Sequence, residues 1–135
     1  MQGYDCRMVM PEGAVSPQDV RAFFEEKAYR RKLLLDTRFA EAQSDFSRIL
    51  EMIIKDYQPR RVWQWGSLLD RGRFSEISDI DIAIEGISSP PLFFEIYGKA
   101  TELTAFPLDL VDIDTIEASH AESIRKRGRL VYERV

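Results

Sequence analysis

Neither proline nor glycine occurs from Gln18 through Gln58, and inside that stretch Phe39, Ala42, Phe46, Ile49, Leu50, Ile53 and Tyr57 recur at helical spacing. A period near 3.6 residues gathers these side chains on one stripe, which needs a core to bury against. Ser16-Pro17-Gln18-Asp19 supplies the start: a hydroxyl to cap the first turn, a proline at the first helical position, and an acid facing the positive helix end. The pattern predicts two helices, or one long bent one, ending before Pro59. The stripe itself reads as core packing rather than as a cofactor contact.

Arg61-Val62-Trp63-Gln64-Trp65 alternates and is rich in strand formers, so it predicts a first strand that Gly66 ends. Its two tryptophans share a face and read as core. A polar, turn-like stretch follows, and then Ile80, Ile82 and Ile84 alternate with Asp79, Asp81 and Ala83, the period of a strand with two distinct faces. Ser88-Ser89-Pro90-Pro91 opens a further helix whose inner face is Leu92, Phe93, Ile96, Ala100 and Leu103. A third strand is expected from Leu108 to Ile113. A helix from about Thr115 should then stop at Gly128 behind Arg125, Lys126 and Arg127, and Leu130-Val131-Tyr132 suggests a short edge strand. This order points to an α/β or α+β sheet layered with helices. With 135 residues the chain has the size of one domain: an N-terminal segment 1–15, a helical region 16–58, and a core over 60–135 that carries the candidate chemistry.

Composition narrows the chemistry. The hydrophobic fraction of 44% and charged fraction of 31% are those of a globular protein. No run approaches the roughly 20 apolar residues of a membrane span, and the N-terminus, broken by Arg7, lacks the order of a secretory signal. A cytoplasmic location is expected. Cys6 and His120 are each the only residue of their kind, which excludes an intrachain disulfide and a zinc site built on several Cys or His ligands. A net charge of -4 argues against a surface built to hold nucleic acid. His120 reads as a surface residue of a polar helix, and Arg125, Lys126, Arg127 and Arg129 as a solvated helix end complementing the dipole.

Asp79 and Asp81 stand two apart in a strand, so their carboxylates project from one face. Like charges so close raise each other's pKa and call for a cation. Magnesium suits them, because it takes oxygen ligands and commonly combines one or two carboxylates with substrate phosphate oxygens. The implied substrate is a nucleoside triphosphate. Gly66 lets backbone approach a phosphate, and Ser67 offers a hydroxyl and an N–H. Their position ahead of Asp79-Ile80-Asp81 makes the pair a phosphate cradle rather than an ordinary turn.

Gly66-Ser67, a loop with Arg71-Gly72-Arg73, and Ser78-Asp79-Ile80-Asp81-Ile82-Ala83-Ile84 together resemble the signature of the DNA polymerase β-type nucleotidyltransferases, and more narrowly of the minimal nucleotidyltransferases. The resemblance runs from about Val62 to Tyr132. It implies a nucleotidyltransferase fold, with nucleotide contacts at Gly66, Ser67, Ser78 and an arginine. It also implies a third metal-binding acid on a later strand, which maps onto Asp109, with Asp112 and Asp114 as competitors. Asp109 and Asp112 differ by three positions and so point to opposite faces of a regular strand. The loop after Ser67 is one residue longer than the family's usual form and reads Leu68-Leu69-Asp70-Arg71-Gly72 where Ala-Arg-Gly is commoner. Arg71 is the closer match, and Arg73 reaches the triphosphate if the loop bulges.

The resemblance implies transfer of a nucleoside monophosphate, AMP from ATP, to a hydroxyl, with two magnesium ions held by Asp79, Asp81 and Asp109. It further implies a specific role as the antitoxin of a two-gene module, adenylylating a tyrosine of a HEPN ribonuclease toxin. The competing class is a binding module on the same fold, which neutralises or scaffolds a protein partner with catalysis weak or absent. The altered loop after Ser67 motivates it.

Overall fold

The computed structural model describes residues 16–135, and the expected segment 1–15 lies outside the described residues. The chain divides into two units, the first ending at Leu34 and the second running from Leu35 to Val135. One helix, α1 (Pro17–Tyr57), passes through both, so a single long helix takes the place of the two-helix alternative. Its cap is reciprocal: the Asp19 N–H donates to Ser16 Oγ at 3.1 Å and the Ser16 N–H donates to Asp19 Oδ2 at 3.2 Å. In the first unit Phe23 and Phe24 meet edge to face at 5.3 Å yet stay exposed, and Arg30 pairs with Glu26 one turn back.

The second unit holds a four-stranded sheet of β1 (Arg61–Trp65), β2 (Ile80–Glu85), β3 (Leu108–Asp112) and β4 (Arg129–Glu133), in the order β3-β2-β1-β4. β1 runs antiparallel to β2 and to β4, whereas β2 and β3 are parallel. A parallel pair needs a crossover, and α2 (Pro90–Thr101) provides it. Helix α3 (Ala118–Arg127) then leads back to the far edge.

Each sheet face has its own core. Val62, Ile80, Ile82 and Ile84 pack with Ala42, Phe46, Ile49 and Ile53 of α1 and with Ile96 and Ala100 of α2. The other face packs Trp63 and Ala83 against Ile113 and against Ala121 and Ile124 of α3, with Trp65 partly buried beside them. The α1 stripe is therefore core, as its spacing required, whereas of the expected α2 face Ile96 and Ala100 are core, Leu103 packs against them, and Leu92 and Phe93 stay half-buried outside it.

Two local expectations change. The polar stretch after Gly66 hides apolar anchors: Gly66–Leu69 is a short 3₁₀ turn with Leu68 fully buried, and Phe74 is buried edge to face on Phe39 at 5.3 Å. Helix α3 begins at Ala118 rather than near Thr115, because Asp112 bends the chain first. Its carbonyl accepts from the Thr115 N–H at 3.1 Å and its Oδ1 from the Asp114 N–H at 3.0 Å, local bonds that compete with a helical turn.

Candidate active site

β1 ends at Trp65, which stands in register with Asp81 of β2. The next residue, Gly66, has φ +83, a left-handed conformation that costs an L side chain energy. A second constraint is steric: a Cβ built on Gly66 would lie 2.0 Å from Asp81 Oδ2 and 2.8 Å from its Cγ. Only glycine lets this turn lie against that carboxylate. Leu68 anchors the turn from below, and the Leu68 carbonyl accepts from Gln43 Nε2 of α1 at 2.7 Å. Gln43 Oε1 accepts in turn from Gln64 Nε2 at 3.1 Å, so a part-buried amide chain ties α1 to β1 and to the turn.

Asp81 also stands in register with Asp109 across the parallel β2–β3 pair, which puts both on the α3 face of the sheet. Asp79 lies one residue ahead of β2 rather than within it. The acids differ in exposure. Asp81 is 8% exposed, Asp79 is half-buried, and Asp109 is exposed. Burial pushes the Asp81 carboxyl up to about 7, and the charges of Asp109 and then Asp79 add to the shift. The residues thus concentrate uncompensated negative charge at one end of the sheet.

Among the described residues no three His, Cys, Asp or Glu side chains converge as a finished ligand set. The donors fit a hard cation that completes its shell with water and phosphate oxygens, and do not fit a closed site for a soft metal. Asp112 and Asp114 have other duties. Asp112 holds the turn described above, and Asp114 Oδ2 accepts from the Gly86 N–H at 2.9 Å. Of the three competitors, Asp109 is the one placed beside Asp81.

Ser78 is buried, and its Oγ accepts from the Ser75 N–H at 2.8 Å while its own N–H donates to the Ser75 carbonyl at 3.1 Å. It clasps the loop leading into Asp79. Arg71 Nε donates to Asp36 Oδ1 of α1 at 2.5 Å. Arg73 instead lines a cavity of about 230 Å³ beside Gly66, whose other wall includes His120 and Arg127 of α3. His120 is exposed, as its polar helix suggested, but it stands edge-on to Trp65 at 5.7 Å in that cavity. Sequence reasoning gave no role to His120 or to the Gln43–Gln64 pair. The signals were present: His120, Ile124 and Arg127 recur on one helical face, and Gln64 is a polar residue at an inward position of β1.

A family model described as polymerase beta, nucleotidyltransferase matches residues 47–135, a span that takes in the sheet and every candidate site residue. Comparison with curated proteins finds no match. Among solved structures, the chain is similar to a crystal structure of the toxin–antitoxin MntA-HepT, with 17% identity, 68% of this chain and 73% of that chain covered, and a TM-score of 0.52. It is likewise similar to a crystal structure of a toxin–antitoxin with AMP-PNP, with 20% identity, coverage of 64% and 73%, and a TM-score of 0.53. Identities this low establish a common fold. No helix among the described residues is long and apolar enough to cross a membrane.

Proposed function

The chain belongs to the polymerase beta nucleotidyltransferase family, and from that premise we propose that it transfers AMP from ATP to a hydroxyl on a protein partner. The carrying observation is the in-register pair Asp81 and Asp109 with the Gly66 turn held against Asp81. Asp79 and Asp81 would hold one magnesium ion and Asp109 would share a second. When bound, the metal supplies neutralisation of phosphate oxygens and acidification of the acceptor hydroxyl. Gly66 and Ser67 offer backbone and hydroxyl groups to the phosphates. Ser78 acts indirectly, by fixing the loop that presents Asp79. Asp109, exposed on the edge strand, would face the acceptor and take its proton.

The nucleotide and the partner rest on the structural neighbours: one is a complex with AMP-PNP and another pairs MntA with HepT. A HEPN-type toxin carrying a reactive tyrosine is the acceptor this reading names. A cytoplasmic location belongs to the same reading. The test is incorporation of label from α-labelled ATP into such a partner, with magnesium, by the wild-type chain and by the Asp79→Asn, Asp81→Asn double mutant. Label that depends on both acids supports transfer.

The scaffold reading has one observation in its favour, since Arg71, the closer match to the family's arginine, is engaged by Asp36 of α1. Neutralisation of the toxin by the double mutant, with no label in either case, would establish it and exclude an enzymatic antitoxin.

A further inference from the structure

β3 is an edge strand, and no strand among the described residues pairs with its outer side. On its inner side the Ile80 N–H donates to the Pro107 carbonyl at 2.9 Å and the Ile113 N–H to the Ile84 carbonyl at 2.9 Å. Between those two bonds a parallel ladder alternates, so Asp109 and Val111 turn their main-chain groups toward β2, and Leu108 and Leu110 turn theirs to the open side. The Asp112 N–H faces the same way, while its carbonyl closes the turn to Thr115. A row of main-chain donors and acceptors is thus left facing out beside Asp109.

Side chains from both faces of this edge border one cavity of about 420 Å³. Phe93, Phe94 and Leu110 border it on the α2 face, Val111 and Ile116 on the α3 face. A cavity that laps over both faces has the form of a missing neighbour strand, whose successive side chains point to opposite faces. Phe94 is 70% exposed there, a ring that a further strand would remove from water. Charge narrows what fits. From Leu108 to Glu117 the chain carries Asp109, Asp112, Asp114 and Glu117 and no lysine or arginine, and among the described residues none lines the cavity. The complement is an extended segment with apolar side chains and a basic end.

We infer that β3 takes the acceptor protein as an added strand: a basic, extended segment of the partner pairs with the open edge and lays its hydroxyl residue opposite Asp109. Directly opposed residues of paired strands share a face, so that residue stands on the α3 face with Asp81 and Asp109. Its neighbour in the segment meets Phe93 and Phe94 on the α2 face, and the residue after that meets Val111 and Ile116. Main-chain bonds supply affinity and the alternate pockets supply specificity. The substrate pattern is a hydroxyl residue followed, or in the antiparallel sense preceded, by two apolar residues and then by Lys or Arg. The inference deepens the nucleotidyl-transfer reading and rests on it for the role of Asp109.

A library of short peptides with a fixed central tyrosine and all other positions random tests it by capture on the immobilised full chain with magnesium, and separately by labelling with α-labelled ATP. Captured peptides should be enriched in Val, Ile or Phe at the two positions on one side of the tyrosine and in Lys or Arg beyond them. N-methylation stepped along the best-captured peptide should weaken binding about tenfold at every second position, because only alternate N–H groups face β3. Phe94→Ser, at an exposed position whose variant circular dichroism checks for folding, should weaken it about tenfold, and the N-methyl scan decides alone should that variant unfold. No positional enrichment, an N-methyl scan without a period of two, or unchanged capture by folded Phe94→Ser overturns the inference. Labelled peptides that lack the apolar pattern sink it while leaving nucleotidyl transfer standing. Patterned capture with the period of two, but no label on any peptide, keeps the added strand and removes the transfer reading.

Discussion

Replacing Gly66 with alanine tests the contact that builds the site. Two costs are separable. The first is conformational: φ +83 is strained for alanine, which costs about 1 kcal/mol. The second is steric. The new methyl would sit 2.0 Å from Asp81 Oδ2, against an ordinary contact of 3.4 Å or more, so the carboxylate must turn or the β1–β2 pairing must yield. An off-rotamer aspartate costs roughly 0.5–1.5 kcal/mol and overpacking roughly 1–3 kcal/mol. These steric responses are alternatives, so with a steric share of about 1–3 kcal/mol Gly66→Ala costs about 2–4 kcal/mol in all. Asp81→Ala removes Oδ2 and Cγ, the two nearest atoms, leaving Cβ at 3.2 Å. In that background Gly66→Ala should cost only its conformational share of about 1 kcal/mol. The assay is urea unfolding of the wild type, both single mutants and the double mutant, followed by the fluorescence of Trp63 and Trp65. A coupling of about 1–3 kcal/mol is expected. Equal costs of Gly66→Ala in the two backgrounds would refute the idea that the turn rests on Asp81. Transfer activity of Gly66→Ala should fall by about 100-fold, because a displacement near 1 Å suffices for that.

Three further outcomes follow from the same geometry. Gln43→Leu leaves the Gln64 amide and the Leu68 carbonyl without their bonds and should cost about 2–3 kcal/mol in urea, with the Gln43→Leu, Gln64→Leu double mutant less than additive; a loss below about 0.5 kcal/mol would contradict the amide chain. Arg71→Gln should leave the KM for ATP within about twofold of wild type while Arg73→Gln raises it about tenfold, and the reverse ranking in steady-state kinetics would return the triphosphate to Arg71. In chelator, the folded carboxyl of Asp81 at about 7 lies above the unfolded value of about 3.9, so the folded chain binds that proton more tightly and stability falls as pH rises from about 4 through 7. Asp81→Asn removes that slope, and equal losses of urea midpoint in both proteins between pH 5 and pH 8 would show that the site does not press on Asp81.

What the chain states locally, it states plainly. The inner stripe of α1, the Ser16 cap and the alternation of β2 are short-range patterns, and each appears in the fold. The placement of Asp109 beside Asp81 was reached through resemblance, since register across a parallel pair depends on a crossover helix and leaves no local mark. Asp79 falls just outside β2 because alternation cannot say where pairing begins. The 3₁₀ turn and the late start of α3 leave no such pattern: Leu68 and Phe74 sit in a polar loop at no regular period, and the Asp112 turn outcompetes a helix through side-chain bonds. The cavity walls were hidden most deeply. Arg127 looks like a dipole cap until Gly128 is seen to dock it on β1.

Asp81 lies on an interior strand, sealed by the Gly66 turn, and Asp109 on an edge strand open to solvent. The two halves of the site therefore have unequal freedom to diverge. A change on the interior side disturbs the turn, the amide chain to α1 and the packed face of α3 at once. A change along the rim of β3 disturbs little except what can settle there. One nucleotide-handling core can in this way be refitted to new acceptors by altering its margin alone, and a folded protein is no harder to admit at that margin than a small alcohol.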